Sequence, residues 1–181
     1  ENEETKMYTF KNLTKSLLLL PALLYFFISP TSSQKPPLKI SILQIVEHPA
    51  LNATREGFLD ELKQLGYEEG KNVIVDYQSA QGNSALAAQI SQKFVADKAD
   101  IIIAIATKAA QAAITAARGS SIPVVFSSVT DPRGAKLVKD LKKPGSAVTG
   151  VSNYIDVKPQ FKLFTRLVPN LKTLGIVYDP G

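Results

Sequence analysis

The chain has 181 residues, with 21 lysines and arginines against 16 acidic residues, one histidine and no cysteine. The lack of cysteine excludes disulfides, thiolate metal sites, a cysteine nucleophile and a lipid-bearing cysteine anchor, and the single histidine excludes a multi-histidine metal site. Hydrophobic and charged fractions of 45% and 20% are typical of a globular protein, and the basic residues are dispersed among acidic ones, so no nucleic-acid surface is predicted.

The N-terminal segment combines basic residues with an apolar stretch over 17–28. This stretch is shorter than the about 20 residues that a membrane-spanning helix needs, and it is typical of a signal peptide that is cleaved after Ser33. Two alternatives are an uncleaved membrane anchor and a buried helix, and Pro30 disfavours the second because it separates the apolar stretch from the downstream residues. We interpret 1–33 as a signal peptide or membrane anchor and 34–38 as a linker.

Short β-branched runs alternate with helical patterns from residue 39 onwards, and Ser84 is the predicted cap of its helix. The predicted strands lie over 39–46, 72–77, 100–106, 122–129 and 148–151, and the predicted helices over 52–65, 84–96, 107–118 and 135–141. Repeated strand–helix–strand units predict an α/β fold with a doubly wound parallel sheet, whose central strand is the almost wholly apolar stretch over 100–106. The carboxyl ends of the strands would then share one edge, where open α/β sheets bind ligands.

The strand and helix pattern begins again after residue 152. A predicted helix over 158–167 is followed by a predicted strand over 174–178. We interpret 39–152 as a complete N-terminal α/β ligand-binding lobe. Residues 153–181 are interpreted as a hinge crossing and the beginning of a second lobe, which would make the chain a truncated form of a two-lobed protein.

Five stretches together carry a resemblance to a known family, and they lie over 45–52 with 56–58, 104–107 with 109–112, 125–132, 148–152 and 175–181. The most specific part is Val129-Thr130-Asp131-Pro132 followed by Val148-Thr149-Gly150-Val151-Ser152. On these residues the chain resembles the ABC-transporter substrate-binding proteins with the type 1 periplasmic-binding fold, in the group associated with tryptophan and tyrosine. It departs from the family pattern at Lys108, where a proline is expected to open the helix.

The resemblance implies two similar lobes that trap a small ligand, such as an aromatic amino acid, between them. It also implies ABC permease subunits in the membrane as partners, an extracytoplasmic location and no cofactor. A single lobe covers one side of a ligand, whereas tight clefts bury about 70–90% of a ligand's surface. The isolated chain is therefore expected to bind its ligand weakly or not at all.

Three loops that come after predicted strands would meet at the ligand edge. Flat and apolar side chains after the first strand suit an aromatic ring. A helix N-terminus after the third strand and hydroxyls after the fourth suit a carboxylate, and an acid after the fourth suits an amino group. The candidate ligand-binding residues are His48, Pro49, Leu51, Ala106, Thr107, Ser127, Ser128, Thr130, Asp131, Thr149 and Tyr154.

Several of these residues also have a simple structural explanation. Asp131 precedes a proline and a predicted helix, so its alternative role is helix capping. The alternative for Thr107 is a plain N-cap, and for His48 an ordinary loop histidine. Tyr154 either closes over the cleft or packs at the hinge, and Thr149 with its glycine neighbour either allows a close backbone approach to the ligand or forms a turn.

The leader and the lobe together predict the solute-binding component of an ABC importer, which captures a small amino-acid-like ligand. Enzyme activity is not expected, because the glycine loops of nucleotide sites and the Gly-x-Ser-x-Gly elbow of hydrolases are absent. Two alternatives remain. One is a non-transport interaction or sensor module that self-associates through the uncovered hinge side, motivated by Phe161, Phe164 and Leu167. The other is an inactive truncated gene product.

Overall fold

Strands and helices alternate through residues 36–145 and 147–177, which are the residues that the computed structural model describes. The predicted signal peptide or anchor and the first two residues of the linker lie outside the described residues. The elements are β1 Leu38–Gln44, α1 Pro49–Gln64, β2 Val73–Ser79, α2 Ser84–Ala96, β3 Ile101–Ile105, α3 Thr107–Ala117, β4 Val124–Val129, β5 Val148–Ser152 and α4 Lys158–Leu167.

The five strands form one sheet in the order β2-β1-β3-β4-β5, and every neighbouring pair is parallel. This arrangement confirms the predicted α/β fold with a doubly wound parallel sheet, and β3 is the central strand as predicted. The chain passes from β1 to β2 on one side and then to β3 on the other side of β1, so the direction of winding reverses between β1 and β3. Open α/β sheets bind ligands outside the carboxyl ends of the strands at such a point.

Helices cover both faces of the sheet, which explains the almost wholly apolar sequence of β3. On one face, Ile42, Ile103 and Ile105 pack against the apolar side of α1. On the other face, a larger cluster includes Phe94 of α2 and Phe126 of β4, together with the alanines of α3. Small side chains on α3 let that helix approach the sheet closely, so the carboxyl edge is held by a tightly packed core.

The helix boundaries agree with local capping signals. The predicted bounds of α2 are confirmed, but its predicted cap is wrong, because Asn83 and not Ser84 is the N-cap. The Oδ1 atom of Asn83 accepts hydrogen bonds from the backbone N–H groups of Ala85 and Leu86, at 2.8 and 3.1 Å. Helix α1 begins at Pro49, before the predicted residue 52, because proline is well tolerated in a first helical turn, where its missing N–H is not needed.

The predicted helix over 135–141 is wrong. The segment after β4 forms hydrogen-bonded turns instead, in which the N–H groups of Ala135 and Leu137 donate to the carbonyls of Asp131 and Pro132, each at 2.9 Å. Lys136 has a φ of 60°, in the left-handed region, which a right-handed helix cannot accommodate. The turns are anchored by Leu137, whose side chain is buried in the core.

The segment after β5 contains the predicted helix, α4, with the predicted bounds. No residue of α4 is buried within the described part of the chain. The predicted strand over 174–178 is wrong for 174–177, which have no regular secondary structure, and Tyr178 lies outside the described residues. A strand needs a neighbour to pair its backbone groups, and none of the described strands pairs with this segment. In the parts of the chain described, no helix is long and apolar enough to cross a membrane.

Candidate functional site

Three loops meet at the carboxyl edge of the sheet, next to the reversal between β1 and β3. The N–H of Ile45, just after β1, donates to the carbonyl of Ile105 at 3.3 Å, and the N–H of Ala106 donates to the carbonyl of Ser127 at 2.9 Å. The hydroxyls of Thr54 on α1 and Ser128 on β4 lie 3.1 Å apart. These contacts bring together the first, second and third loops that the sequence singled out.

Ala106 connects β3 to α3 in an unusual backbone conformation. Its φ of 81° and ψ of 159° lie in a region that is occupied almost only by glycine. Ala106 is the N-cap of α3 and has no side-chain acceptor for the first N–H groups of the helix. Thr107 is the first helical residue, so the N-cap alternative for Thr107 is wrong. The start of α3 therefore offers N–H groups, including that of Thr107, and the positive end of the helix dipole at the edge.

Ser128 is a second strained residue at the same edge. Its φ is 55°, and the register between β4 and β5 shifts between Phe126 and Val129, as in a β-bulge. Bulges redirect side chains and are frequent beside functional sites. Ser127 and Ser128 are both half-buried at the point where β4 reaches the edge. Strain in two non-glycine residues on neighbouring strands is typical of a binding or catalytic edge.

Asp131 has the capping role that was considered for it, although it caps a turn and not a helix. Its Oδ1 atom accepts hydrogen bonds from the N–H groups of Arg133 and Gly134, at 3.1 and 2.9 Å. The neighbouring Thr130 is exposed, and its carbonyl accepts a hydrogen bond from the hydroxyl of Ser152 at 3.0 Å. The third loop is thus fixed to the end of β5.

The first loop ends in a histidine that caps a helix. The ring of His48 is exposed, and its Nδ1 accepts a hydrogen bond from the N–H of Ala50 at 3.3 Å, so His48 is the N-cap of α1. In the neutral ring this arrangement leaves the proton on Nε2. Pro49 is exposed, whereas Leu51 is half-buried and packs against the cores on both faces of the sheet. Leu51 is thus at least partly a core residue.

Two candidate residues lie on β5 or directly after it. Thr149 pairs with Val125 near the start of β5, so it lies below the carboxyl edge and not in a turn. A Cβ on its neighbour Gly150 would collide with the backbone carbonyl of Phe126, so close strand packing explains this glycine. Tyr154 follows β5, its N–H donates to the Ser152 hydroxyl that bonds the third loop, and it is 68% exposed.

A polar network at the edge was missed in the sequence. It comprises Gln44, Glu47, Asn52, Arg55 and Tyr77. The available signal was a glutamine between the apolar pairs Ile42-Leu43 and Ile45-Val46. The Tyr77 hydroxyl donates to Glu47, and this bond is the main reason that the pKa of Glu47 lies below its ordinary value, with a further contribution from the Arg55 charge. Burial, and then the bond to Glu47, raise the pKa of Tyr77.

The polar groups at this edge are not arranged as metal ligands. Among residues 36–145 and 147–177, no group of three histidine, aspartate or glutamate side chains is placed to hold a metal ion. The polar groups here include backbone N–H groups, hydroxyls, the side-chain amides of Gln44 and Asn52, the Arg55 guanidinium, and the carboxylates of Glu47 and Asp131. Such a set suits a small zwitterionic ligand, which carries one group of each charge.

Comparison with known proteins agrees with this fold. The family described as ABC transporter substrate binding protein matches residues 39–181. A tyrosine-binding protein of Clostridioides difficile is 42% identical over 149 residues, which cover 82% of this chain and 42% of that protein. A conserved domain protein from Vibrio cholerae has a crystal structure that matches with a TM-score of 0.73 and 52% identity, over 79% of this chain and 48% of that one.

A third relative was solved with a bound ligand. The ABC domain from Streptococcus pneumonia in complex with L-Trp matches with a TM-score of 0.69 and 40% identity, over 75% of this chain and 45% of that chain. The chain thus spans less than half the length of each of these relatives. The matched residues cover the whole described lobe, including all three loops of the edge. The chain therefore belongs to the family of ABC transporter substrate-binding proteins.

Proposed function

We propose that this chain supplies one side of the ligand cleft of an exported solute-binding protein, which delivers an aromatic L-amino acid to an ABC importer. One observation carries the proposal. In this member of the family, the three loops meet at the carboxyl edge of the sheet, where the direction of winding reverses between β1 and β3. One relative is named for tyrosine binding and another was solved with L-Trp, which supports an aromatic amino acid as the ligand. Family membership supports ABC permease subunits as partners and a location outside the cytoplasm.

The edge offers complementary groups for both ends of an amino acid. We assign the ligand carboxylate to the N-terminus of α3 at Ala106 and Thr107, with hydroxyls from Ser127, Ser128 and Thr130 beside it. A carboxylate has about four lone-pair positions, so Asp131 keeps acceptor capacity for the ligand ammonium after accepting its two backbone bonds.

The aromatic ring of the ligand is assigned to the first loop. His48 and Pro49 are exposed at its end and offer flat surfaces on which an aromatic ring can stack. Leu51 and Tyr154 complete the proposed set, Leu51 through its exposed part and Tyr154 by closing over the ligand, whereas Thr149, which pairs with Val125 below the edge, is assigned no ligand contact. We propose no catalytic step, since solute capture needs only binding and release.

The proposal is tested by titrating ¹⁵N-labelled chain with L-tryptophan, L-tyrosine and L-lysine and monitoring amide chemical shifts. We expect the two aromatic amino acids to shift residues 46–48, 106–109 and 127–131, with weak affinity because the described lobe covers one side of the ligand. L-lysine should leave these signals in place. The absence of shifts at all three loops, up to the solubility limit of each aromatic ligand, would contradict the proposal.

A self-associating interaction module is the second candidate. Phe161, Phe164 and Leu167 of α4 are 43%, 42% and 69% exposed, an unusual arrangement for large apolar side chains on one helix. If α4 mediates self-association, light scattering should show a dimer that Phe161→Glu converts to monomer. A wild-type chain that stays monomeric at high concentration would contradict this candidate.

A further inference from the structure

A fully buried glutamine lies under the first loop. Gln44, the last residue of β1, has no exposed surface. Its amide nitrogen donates to the carbonyl of Val46 at 2.8 Å and to Oδ1 of Asn52 at 2.6 Å, and its Oε1 accepts from the Nη1 of Arg55 at 3.5 Å. Every polar atom of this side chain is therefore bonded, either to the loop or to α1. A buried amide so fully satisfied strongly favours one arrangement of its neighbours.

Arg55 extends this bonding to the loop carboxylate and to β2. Its Nη1 lies 3.6 Å from Oε2 of Glu47, and its guanidinium carbon lies 4.2 Å from the centre of the Tyr77 ring. Only 17% of the Arg55 side chain is exposed, so the ion pair is partly protected from water. Tyr77 in turn donates its hydroxyl to the same carboxylate. Glu47 is thus held from two elements, α1 and β2.

Backbone hydrogen bonds fix the two ends of this loop but not its middle. The N–H and carbonyl of Ile45 bond Ile105 and Gly82, and the carbonyl of His48 accepts from the N–H of Asn52. Among the described residues, no backbone–backbone hydrogen bond joins Val46 or Glu47 to another residue. The carbonyl of Val46 and the side chain of Glu47 are instead bonded to the network, so these two residues, directly before His48, are held by side chains.

We propose that Arg55 is a positioning residue, which bridges Gln44, Glu47 and Tyr77 and thereby fixes the first ligand loop in its binding conformation. The inference rests on the proposed function, because that function makes 46–48 a ligand loop. Arg55 acts through the loop and need not touch the ligand. A loop that is already ordered loses less conformational entropy on binding, so the network should strengthen ligand capture without adding a ligand contact.

The test compares Arg55→Met with Lys63→Met in the full chain. Methionine keeps an unbranched apolar stem, and Lys63 is an exposed cation on the same helix, so both variants lose one charge from α1. We expect ¹⁵N relaxation to show order parameters of about 0.85 at residues 46–48 in wild type and Lys63→Met, and below about 0.6 in Arg55→Met. The L-tryptophan concentration that produces half of the maximal chemical-shift change should rise at least threefold in Arg55→Met and stay unchanged in Lys63→Met.

Several outcomes separate this inference from the proposed function. Unchanged order parameters at 46–48 in Arg55→Met would overturn the positioning role. A disordered loop in that variant, combined with no ligand shifts in wild type, would support the positioning role and count against the proposed function. If Arg55→Met does not fold, Glu47→Gln tests the same bridge and should also lower the order parameters. In Arg55→Lys the order parameters of residues 46–48 should stay close to those of Arg55→Met. A lysine ammonium cannot stack flat on the Tyr77 ring while it also bonds Gln44 and Glu47.

Discussion

The carboxylate of Glu47 is the group through which pH should act on the first loop. The groups that face it are Tyr77 from β2 and Asn52 and Arg55 from α1, and their bonds and charge keep its pKa below the ordinary value. A depressed pKa means that the ionised form stabilises the folded state. This contribution is complete above the unfolded pKa of about 4.5 and is lost as the pH falls through the lower, folded value.

We therefore expect Glu47→Gln to lower the free energy of unfolding at neutral pH, with a difference from wild type that shrinks as the pH falls below about 4.5. Urea unfolding at a series of pH values from neutral to well below this pKa measures the difference. Glu56→Gln, which removes a carboxylate from α1, is the control. A difference for Glu47→Gln that stays constant across the series would contradict the pH dependence.

Backbone strain at Ala106 leads to a second prediction at the scale of the residue. A non-glycine residue in this region is destabilised by about 1–3 kcal/mol, whereas glycine in a folded chain has an entropic disadvantage of about 0.5–1 kcal/mol. Ala106→Gly should therefore stabilise the lobe by about 1 kcal/mol in urea unfolding. The same substitution inside α3, Ala112→Gly, should instead destabilise it by about 1 kcal/mol. Equal destabilisation by both variants would show that Ala106 is not strained.

At the scale of the element, the sequence was most informative where local signals were strong. The apolar periodicity of α2 and α4 predicted their bounds, and the unbroken apolar run of β3 predicted its central place. The same reasoning failed over 135–141, where Leu137 and Val138 are buried but the segment forms turns, with Lys136 at a φ of 60°. In a segment this short, apolar residues indicate burial without distinguishing the anchors of a turn from one face of a helix.

The cap of α2 gives an element-scale prediction that separates the observed N-cap from the predicted one. Asn83 bonds two N–H groups at the start of the helix, so Asn83→Ala should destabilise the lobe by about 1 kcal/mol. Ser84→Ala should change stability by a few tenths of a kcal/mol at most, because alanine suits a helix interior. Thermal unfolding of both variants is the measurement, and a larger loss for Ser84→Ala would contradict the observed cap.

The pairing of β4 with β5 depends on a glycine. A Cβ at Gly150 would lie well inside van der Waals contact distance of the Phe126 carbonyl oxygen, and this backbone atom cannot move away alone. Gly150→Ala should therefore destabilise the lobe by about 1–3 kcal/mol, in the range of overpacked cores. Gly57→Ala is the matched control, since a Cβ there meets open space in α1 and should stabilise that helix by up to about 1 kcal/mol. Denaturant unfolding should show opposite signs for the two substitutions.

At the scale of the whole molecule, the sequence predicted which loops meet at the carboxyl edge of the sheet. It did not predict which side chains contact one another there. Parallel strands place their carboxyl ends together, so the loops containing His48, Thr107 and Asp131 could be grouped from the strand pattern alone. The contacts of Arg55 with Gln44 and Tyr77 could not be predicted, because they join three elements and depend on side-chain directions. The distance of Thr149 from the edge could not be predicted for a related reason, since it depends on the register of β5 against β4.

The reversal between β1 and β3 also determines when a binding edge can exist during folding. Ile45 and Ile105 are neighbours in the sheet although the whole of α1, β2 and α2 lies between them in the chain. A folding intermediate that has formed only β1, α1 and β2 has the first loop but no α3 N-terminus beside it. An amino acid that binds to both, as we propose, would therefore stabilise only intermediates in which β3 already lies next to β1 and α3 has formed its first turn.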